Sequence, residues 1–187
     1  MVTLPRRIHI FGAAGSGTTT LAAALSAKHG HRHFDTDDFY WVPSDPPYQQ
    51  KRTSSDRQTL LTAALAEINS WVLSGSLGGW GDPFISRFES VVFLLAPVEV
   101  RLTRLRGREV MRYGHDAIAA GGKLHKAHVE FMNWAQRYDD GGLNMRSRAL
   151  HERWIERLPL PVLRLDGNKP VDTLLAEIET AAASPKY

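Results

Sequence analysis

Residues 8–20 read IHIFGAAGSGTTT, and this stretch decides the fold. A short apolar run precedes three closely spaced glycines, Gly12, Gly15 and Gly17, and an Ala- and Leu-rich stretch follows them. Glycines let backbone N–H groups approach a phosphate closely, and the N-terminus of a following helix adds partial positive charge at the same point. The stretch therefore predicts a strand, a phosphate-binding loop and a helix, in that order.

The loop departs at one position from the usual pattern G-x-x-x-x-G-K-[ST]. Gly12, Gly17 and Thr19 occupy their usual places, but Thr18 stands where the lysine is expected. A lysine about 4 Å from a phosphate charge would interact by about 4 kcal/mol at an effective dielectric of 20. Without this lysine, the backbone of the loop could still bind phosphate, but efficient phosphoryl transfer would need another cation. The other interpretation is a tight strand–helix turn that binds no ligand. The predicted nucleotide contacts are Gly12, Ala13, Ala14, Gly15, Ser16, Gly17, Thr18, Thr19 and Thr20.

The composition indicates one globular domain over residues 1–187, with 43% hydrophobic residues and a formal net charge of +3. The absence of cysteine excludes disulfides and thiolate metal sites. Neither a signal peptide nor a membrane-spanning stretch is evident, so we expect a cytoplasmic protein without a membrane partner. The small net charge and the lack of a reader motif argue against nucleic-acid binding.

Short apolar runs alternate with amphipathic helical patterns, which predicts an α/β fold with a parallel sheet and helices on both faces. In such sheets, ligands bind beyond the carboxyl ends of the strands. Ser55 and Gln58 have the spacing of a capping box. Residues 37–53 are predicted to be irregular, and residues 124–138 have helical spacing. Strands are predicted at 7–11, 32–35, 71–75, 91–96 and 162–165, and helices at 18–29, 55–69, 97–112, 145–158 and 170–183.

An arginine-rich helix offers the replacement cation. Arg101, Arg104, Arg108 and Arg112 lie near one helical face, and Arg146 and Arg148 begin the next helix beyond an inserted segment at about 113–145. Glycines at both ends of this segment indicate a lid that closes over phosphates, where arginines act as bidentate donors. A solvated basic helix is the alternative interpretation.

Acidic and aromatic side chains follow the second and third strands. Asp35 and Asp37 lie two residues apart at a strand end, where one could hold Mg²⁺ together with Thr19 and the other could orient or deprotonate an acceptor. The same carboxylates could simply cap a helix, and the nearby aromatic residues could belong to the core. The predicted acceptor-site residues are Asp35, Asp37, Trp41, Ser74, Gly75 and Trp80.

Five segments together resemble the P-loop nucleoside and shikimate kinase-like family: GAAGSGTTT, DTDDFYW, WVLSGS, VVFLLAPVEVRLTRLRGRE and LRLDGNKPV. A bacterial adenylate kinase-like branch of that family also carries threonine at the lysine position. The resemblance implies a three-layer P-loop fold with strand order 2-3-1-4-5, a helical lid and ATP with Mg²⁺ on the glycine loop. It also implies that Asp35 and Asp37 serve Mg²⁺ and the acceptor, and that the loop containing Gly167 lies on the adenine side.

The sequence thus predicts an ATP-dependent phosphotransferase acting on an unidentified small molecule or nucleotide, as a monomer or homodimer. The alternative is a nucleotide-binding P-loop protein, regulatory or ATPase-like, with little or no phosphotransfer, which Thr18 favours. Arg104 is expected to contact the nucleotide as well as to take part in transfer. The predicted catalytic residues are Arg104, Arg108, Arg146 and Asp37.

Overall fold

A computed structural model describes residues 3–184 of the chain. Five parallel strands form the central sheet, and counted within that sheet their order is 2-3-1-4-5, which confirms the predicted topology. A two-residue antiparallel pair forms a separate hairpin. The strands are β1 (Arg7–Gly12), β2 (Arg32–Asp35), β3 (Trp41–Val42), β4 (Gln50–Lys51), β5 (Trp71–Ser74), β6 (Ser90–Leu95) and β7 (Val162–Asp166), with β3 and β4 in the hairpin.

Eight α-helices and one 3₁₀ helix complete the part of the chain that the structure describes. The short helix α2 and the hairpin occupy a stretch that the sequence predicted as irregular. The helices are α1 (Thr18–His29), α2 (Thr36–Tyr40), α3 (Ser54–Ala66), α4 (Val98–Tyr113), α5 (His115–Ile118), α6 (His125–Gln136), α7 (Arg148–Ile155) and α8 (Val171–Ala182), with the 3₁₀ helix at Asp82–Arg87.

Alternating residues on β1 divide the core into two layers. Ile8 and Ile10 pack with α1 and α8 on one face of the sheet. Phe11 points to the opposite face, where it meets α3 and α7 in an aromatic cluster that includes Trp154. Because successive side chains of a strand face opposite sides and residues 8–12 of β1 are all buried, β1 is covered on both faces. This burial fixes the glycine loop at the carboxyl end of the central strand.

A third, smaller core joins α4 to α6. Leu102 and Leu105 of α4 pack with Ala135 and the partly buried Phe131, and Ala14 of the glycine loop touches the same cluster. The segment predicted as a lid therefore packs on the helix that carries the arginines. Apolar contact extends from that segment to the glycine loop.

Two local predictions were wrong. The helix α3 is capped by Thr53, whose hydroxyl accepts from the Asp56 N–H at 3.1 Å, and not by Ser55 with Gln58. A Thr two residues earlier satisfies free N–H groups of the first turn, so the alternative cap was not needed. The helix α7 begins at Arg148, capped by Ser147. Arg146 therefore precedes the helix that it was predicted to begin.

Candidate nucleotide and acceptor site

The glycine loop is built from backbone conformations and close approaches that other residues would disturb. Gly15 and Gly17 have φ angles of +80° and +102°, in the left-handed region that glycine adopts without strain. A Cβ on Gly12 would lie 2.3 Å from the Leu94 carbonyl oxygen, and one on Gly15 would lie 2.6 Å from that of Arg101. These glycines therefore set the loop against β6 and α4.

The N-terminus of α1 is open toward this loop. Gly17 is its N-cap and supplies no side-chain hydrogen bond, and the first turn contains no acidic residue. The hydroxyl of Ser16 is buried and has no hydrogen-bond partner. Free N–H groups of the first helical turn and an unpaired hydroxyl form the kind of site that binds a phosphate. The loop thus fits the predicted nucleotide phosphates, and Thr18 and Thr20 lie in the first turn beside it.

Asp35, at the carboxyl end of β2, is the centre of a hydrogen-bond network. Its Oδ2 accepts from the hydroxyls of Thr19 and Ser74, both at 2.8 Å. Its Oδ1 accepts from the Asp37 N–H at 3.0 Å and so caps α2. Because Thr19 donates its proton to Asp35, its lone pairs remain free for a cation. A hydroxyl and one carboxylate suit Mg²⁺, which takes its other ligands from phosphates and water.

Over residues 3–184, no three or more His, Cys, Asp or Glu side chains are grouped so as to hold a metal ion. The Thr19–Asp35 pair is thus the arrangement that fits the predicted cation, with few protein ligands, as Mg²⁺ sites at phosphates usually have.

Asp37 occupies a mostly enclosed position among opposing charges. Burial raises the pKa of its carboxyl, and so does the negative charge of Asp35. Arg146, Arg108 and a hydrogen bond with the Trp41 side chain act in the opposite direction and lower that pKa. The groups that act on the pKa of Asp37 thus include Asp35, Arg108, Arg146 and Trp41, which were predicted from distant parts of the sequence.

Arg104 lies against the glycine loop. Its Nη1 donates to the carbonyl oxygens of Ser16 and Gly167 at 3.3 and 3.0 Å, and approaches that of Gly15 at 3.5 Å. Gly167 itself is buried, and a Cβ there would lie 2.7 Å from the Ser16 carbonyl oxygen. Arg104 thus joins the phosphate loop to the loop after β7.

Arg101 does not belong to the phosphate-binding arginines, contrary to the sequence prediction. Its side chain is fully buried and donates to the carbonyl oxygens of Ala96 and Ala135, each at 3.1 Å, and to Asp139 at 2.5 Å. Helical spacing placed it with the others, but α6 covers this end of the face. Arg101 therefore holds α6 and the residues that follow it on the core.

Two further arginines of the predicted set have other partners. Arg112 lies over the ring of Tyr48, 4.7 Å from its centroid. Arg148 is exposed and approaches Glu152 at 4.0 Å, beside a cleft of about 500 Å³ at the ends of β6 and β7. Of the two arginines predicted beyond the inserted segment, only Arg146 is among the groups acting on Asp37.

The predicted aromatic and small residues divide between site and core. Trp41 is partly exposed and its side chain hydrogen-bonds to Asp37, whereas Trp80 is buried in the aromatic core. Ser74 is fully buried and reaches the site only through Asp35. Gly75 is needed for packing, because a Cβ there would lie 1.9 Å from the hydroxyl oxygen of Thr36.

Two residues around α2 and the hairpin were not predicted from the sequence. Arg57 of α3 lies 3.7 Å from the centroid of the Tyr40 ring, and its buried Nε has no hydrogen-bond partner. Tyr48 has a φ of 68°, and within residues 3–184 it is the one non-glycine residue with positive φ. Burial raises the pKa of the Tyr48 hydroxyl. The positive charges of Arg112 and Arg108 lower that pKa, and the negative charges of Asp37 and Asp35 raise it. No sequence signal separates these residues from ordinary surface side chains.

A buried polar network lies behind the site. Nε2 of His151 contacts the Ser76 hydroxyl at 2.9 Å, and Nδ1 contacts the Tyr138 hydroxyl at 2.8 Å. Burial lowers the pKa of His151 to about 3, helped by the positive charge of Arg146, so the ring is neutral at pH 7. The network ties the loop after β5 to the end of α6.

Comparison with known proteins agrees with this architecture. A parallel sheet with a glycine loop between β1 and α1, helices on both faces and arginines at the carboxyl edge defines a P-loop kinase-like fold. The chain belongs to the family described as AAA domain, whose sequence model matches residues 8–131. It is 44% identical over 176 residues to the uncharacterized protein YqaC of Bacillus subtilis (strain 168), covering 92% of this chain and 97% of that protein.

Solved kinase structures share the fold at low sequence identity. A shikimate kinase from Bacteroides thetaiotaomicron has a TM-score of 0.55 at 18% identity, covering 94% of this chain and 95% of that one. Deoxyadenosine kinase from M. mycoides with bound dATP has a TM-score of 0.54 at 14% identity, covering 95% and 100%. A gluconokinase from Sinorhizobium meliloti 1021 has a TM-score of 0.53 at 16% identity, covering 96% and 93%. In the described part of this chain, no helix is long and apolar enough to cross a bilayer.

Proposed function

We propose that this protein is an ATP-dependent phosphotransferase that moves the γ-phosphoryl group of ATP to a hydroxyl, carboxylate or phosphate oxygen of a small anionic acceptor. The observation that carries the proposal is the position of Asp35, whose Oδ2 accepts from Thr19 beside the glycine loop and whose Oδ1 accepts from the Asp37 N–H. Burial raises the pKa of the Asp37 carboxyl, and the positive charges of Arg146 and Arg108 lower it. Binding alone would need the glycine loop, and it would not need a second carboxylate with a raised pKa next to Asp35.

On the nucleotide side, the open N-terminus of α1 and the glycine loop hold the phosphates of ATP. Arg104 keeps this loop in contact with the loop containing Gly167, on the adenine side of the proposed site. Thr19 and Asp35 would hold Mg²⁺, which would offset negative charge on the phosphates. Arg108 and Arg146 supply the positive charge that the missing lysine does not.

On the acceptor side, Asp37 orients the attacking group and takes its proton when that group is a hydroxyl. Burial keeps the pKa of Asp37 above that of an ordinary aspartate and so improves its match to this task. Arg57, with its unpartnered Nε above Tyr40, is placed to bind an anionic group of the acceptor. Trp41 forms the neighbouring wall, together with Tyr48.

The alternative function is nucleotide binding with little or no transfer, and the observation that favours it is Thr18. In that case Asp37 and its arginines would serve to fix the hairpin and the segment that precedes α7. The two functions differ in whether a phosphorylated product forms, so they can be separated directly.

The test is a ³¹P NMR assay of purified protein with Mg-ATP and separate acceptors: nucleoside monophosphates, shikimate-like acids, and sugars or sugar acids. We expect a phosphorylated product from one acceptor class, and we expect Asp37→Asn to bind ATP like the wild type while losing most of the transfer. ATP binding without product from any acceptor class would favour the alternative. Absence of ATP binding would contradict both functions.

A further inference from the structure

We infer that His33 is a positioning residue: through Ser74, its Nε2–H fixes Asp35 and Thr19 in the arrangement that binds Mg²⁺ with ATP. The inference rests on the proposed nucleotide function and extends it to a side chain that touches neither ligand. It also assigns a role to Ser74, which is fully buried and cannot contact an acceptor.

The chain of contacts begins on the edge strand of the sheet. His33 and Asp35 are two residues apart on β2, so their side chains lie on the same face. Ser74 is the register partner of Asp35 on β5. Nε2 of His33 lies 2.9 Å from the Ser74 hydroxyl oxygen, which in turn lies 2.8 Å from Oδ2 of Asp35.

Proton counting fixes the direction of these hydrogen bonds. A serine hydroxyl has one proton and can donate only once. A carboxylate oxygen can only accept, so the proton of Ser74 points to Asp35 at 2.8 Å; the Phe34 carbonyl oxygen, at 3.4 Å, is the longer contact. Ser74 must therefore accept from His33, whose Nε2 carries a proton. Both the neutral Nε2–H form and the charged form of the ring satisfy this requirement.

The opposite tautomer would disturb the cation site. If Nε2 of His33 were a bare acceptor, Ser74 would turn its proton toward the histidine, and two oxygen lone pairs would face each other at 2.8 Å. Asp35 would then lose one of the two hydroxyl donors on Oδ2 and move away from Thr19. Groups that orient metal ligands in this way usually change metal affinity by about 10- to 100-fold when they are removed.

The first experiment measures ATP affinity by calorimetry, with Mg²⁺ and with EDTA, and takes the ratio of the two affinities. His33→Phe, which cannot donate, should lower this ratio about tenfold, with little change in the affinity for metal-free ATP. Ser74→Ala should do the same. His33→Gln should retain the ratio within about threefold, because its amide N–H can replace Nε2–H.

His31→Gln is the matched control. His31 is a buried histidine next to the same strand, and its Nε2 contacts the Pro5 carbonyl oxygen. It should leave the ratio unchanged. A wild-type ratio in His33→Phe, or equal losses in His33→Phe and His33→Gln, would overturn the inference.

A second experiment needs neither ATP nor Mg²⁺, so it separates this inference from the proposed function. The ¹⁵N NMR spectrum of the ligand-free protein, with His33 assigned by comparison with His33→Gln, should show a protonated Nε2. Ser74→Ala, which removes the acceptor for this proton, should shift the Nδ1–H and Nε2–H populations of His33 toward those of an unconstrained ring. A His33 ring protonated only on Nδ1 would refute the inference even if the protein is a kinase. Failure to bind ATP with Nε2 protonated would refute the nucleotide function and leave intact only the positioning of Asp35 by His33 through Ser74.

Discussion

The glycines of the phosphate loop and the arginines of α4 were both predicted from their spacing in the sequence. The structure gives the two groups different outcomes. Gly15 and Gly17 of the loop have the positive φ angles that a glycine pattern favours, and this conformation is a property of the residue itself. The arginines share a helical spacing, yet Arg101 is buried, Arg104 contacts the loop, and Arg112 lies over Tyr48. Backbone roles follow from local sequence, whereas the role of a long charged side chain depends on what packs over it.

The largest expected effect concerns Arg146, whose positive charge lowers the pKa of Asp37. Arg146→Ala should lower the transfer rate by about 10²–10³-fold, as loss of one charge-stabilising donor typically does. The affinity for Mg-ATP should stay within about threefold, because the charge of Arg146 is expected to act mainly in the transition state. Steady-state kinetics with the identified acceptor measures both. Arg153→Ala, an exposed arginine on α7, is the control, and equal losses in the two variants would contradict the assignment.

The next effect separates Arg101 from its helical neighbours. Arg101→Ala should lower the free energy of unfolding by about 3 kcal/mol, because it leaves a cavity and removes three hydrogen bonds made by a fully buried side chain. Arg106→Ala, at an exposed position of the same helix, should change it by no more than about 0.5 kcal/mol. Urea denaturation followed by circular dichroism measures both. Similar small changes would mean that Arg101 does not hold α6 in place.

A third variant restores the usual residue of the loop. Thr18→Lys should raise the transfer rate at most about tenfold, or about 1.4 kcal/mol, because the arginines already provide positive charge near the phosphates. Single-turnover measurements with saturating Mg-ATP give this rate, and Thr18→Met controls for side-chain length. A rise of several powers of ten would show that the arginines do not replace the lysine.

The smallest effect tests a backbone position outside the loop. Tyr48 has a positive φ, as Gly15 and Gly17 do, but it carries a large side chain. Tyr48→Gly should relieve strain of about 1 kcal/mol and so keep or slightly raise the thermal midpoint, while weakening acceptor binding. Tyr48→Ala keeps the strain and is the control. A clear fall in the midpoint for Tyr48→Gly would show that the ring against Arg112 outweighs the strain.

Most of the fold could be predicted from the sequence because its signals are local or periodic. The buried strands are continuous apolar runs, and Gly30 ends α1 in the left-handed conformation expected of a C-cap. The hairpin of β3 and β4 was missed because each strand has only two residues, too few for any periodicity.

The site could be predicted only in part. Asp35 was predicted because it ends a strand, and Thr19 because it fits the loop pattern; a hydrogen bond of 2.8 Å joins the two. Arg57 was missed because its importance lies in a ring stacked beneath it and an unpaired Nε, neither of which has a sequence signature. Arg101 was misplaced because helical spacing predicts a shared face without saying which part of that face another helix covers.

The approach of Gly15 to the Arg101 carbonyl oxygen has a consequence for sequence divergence. A Cβ at Gly15 would lie 2.6 Å from that oxygen, so a side chain fits there only if α4 moves away. Such a shift would also disturb the contact between Arg104 and the loop. We therefore expect that any related sequence without this glycine also differs at the start of α4, so that the two segments change together.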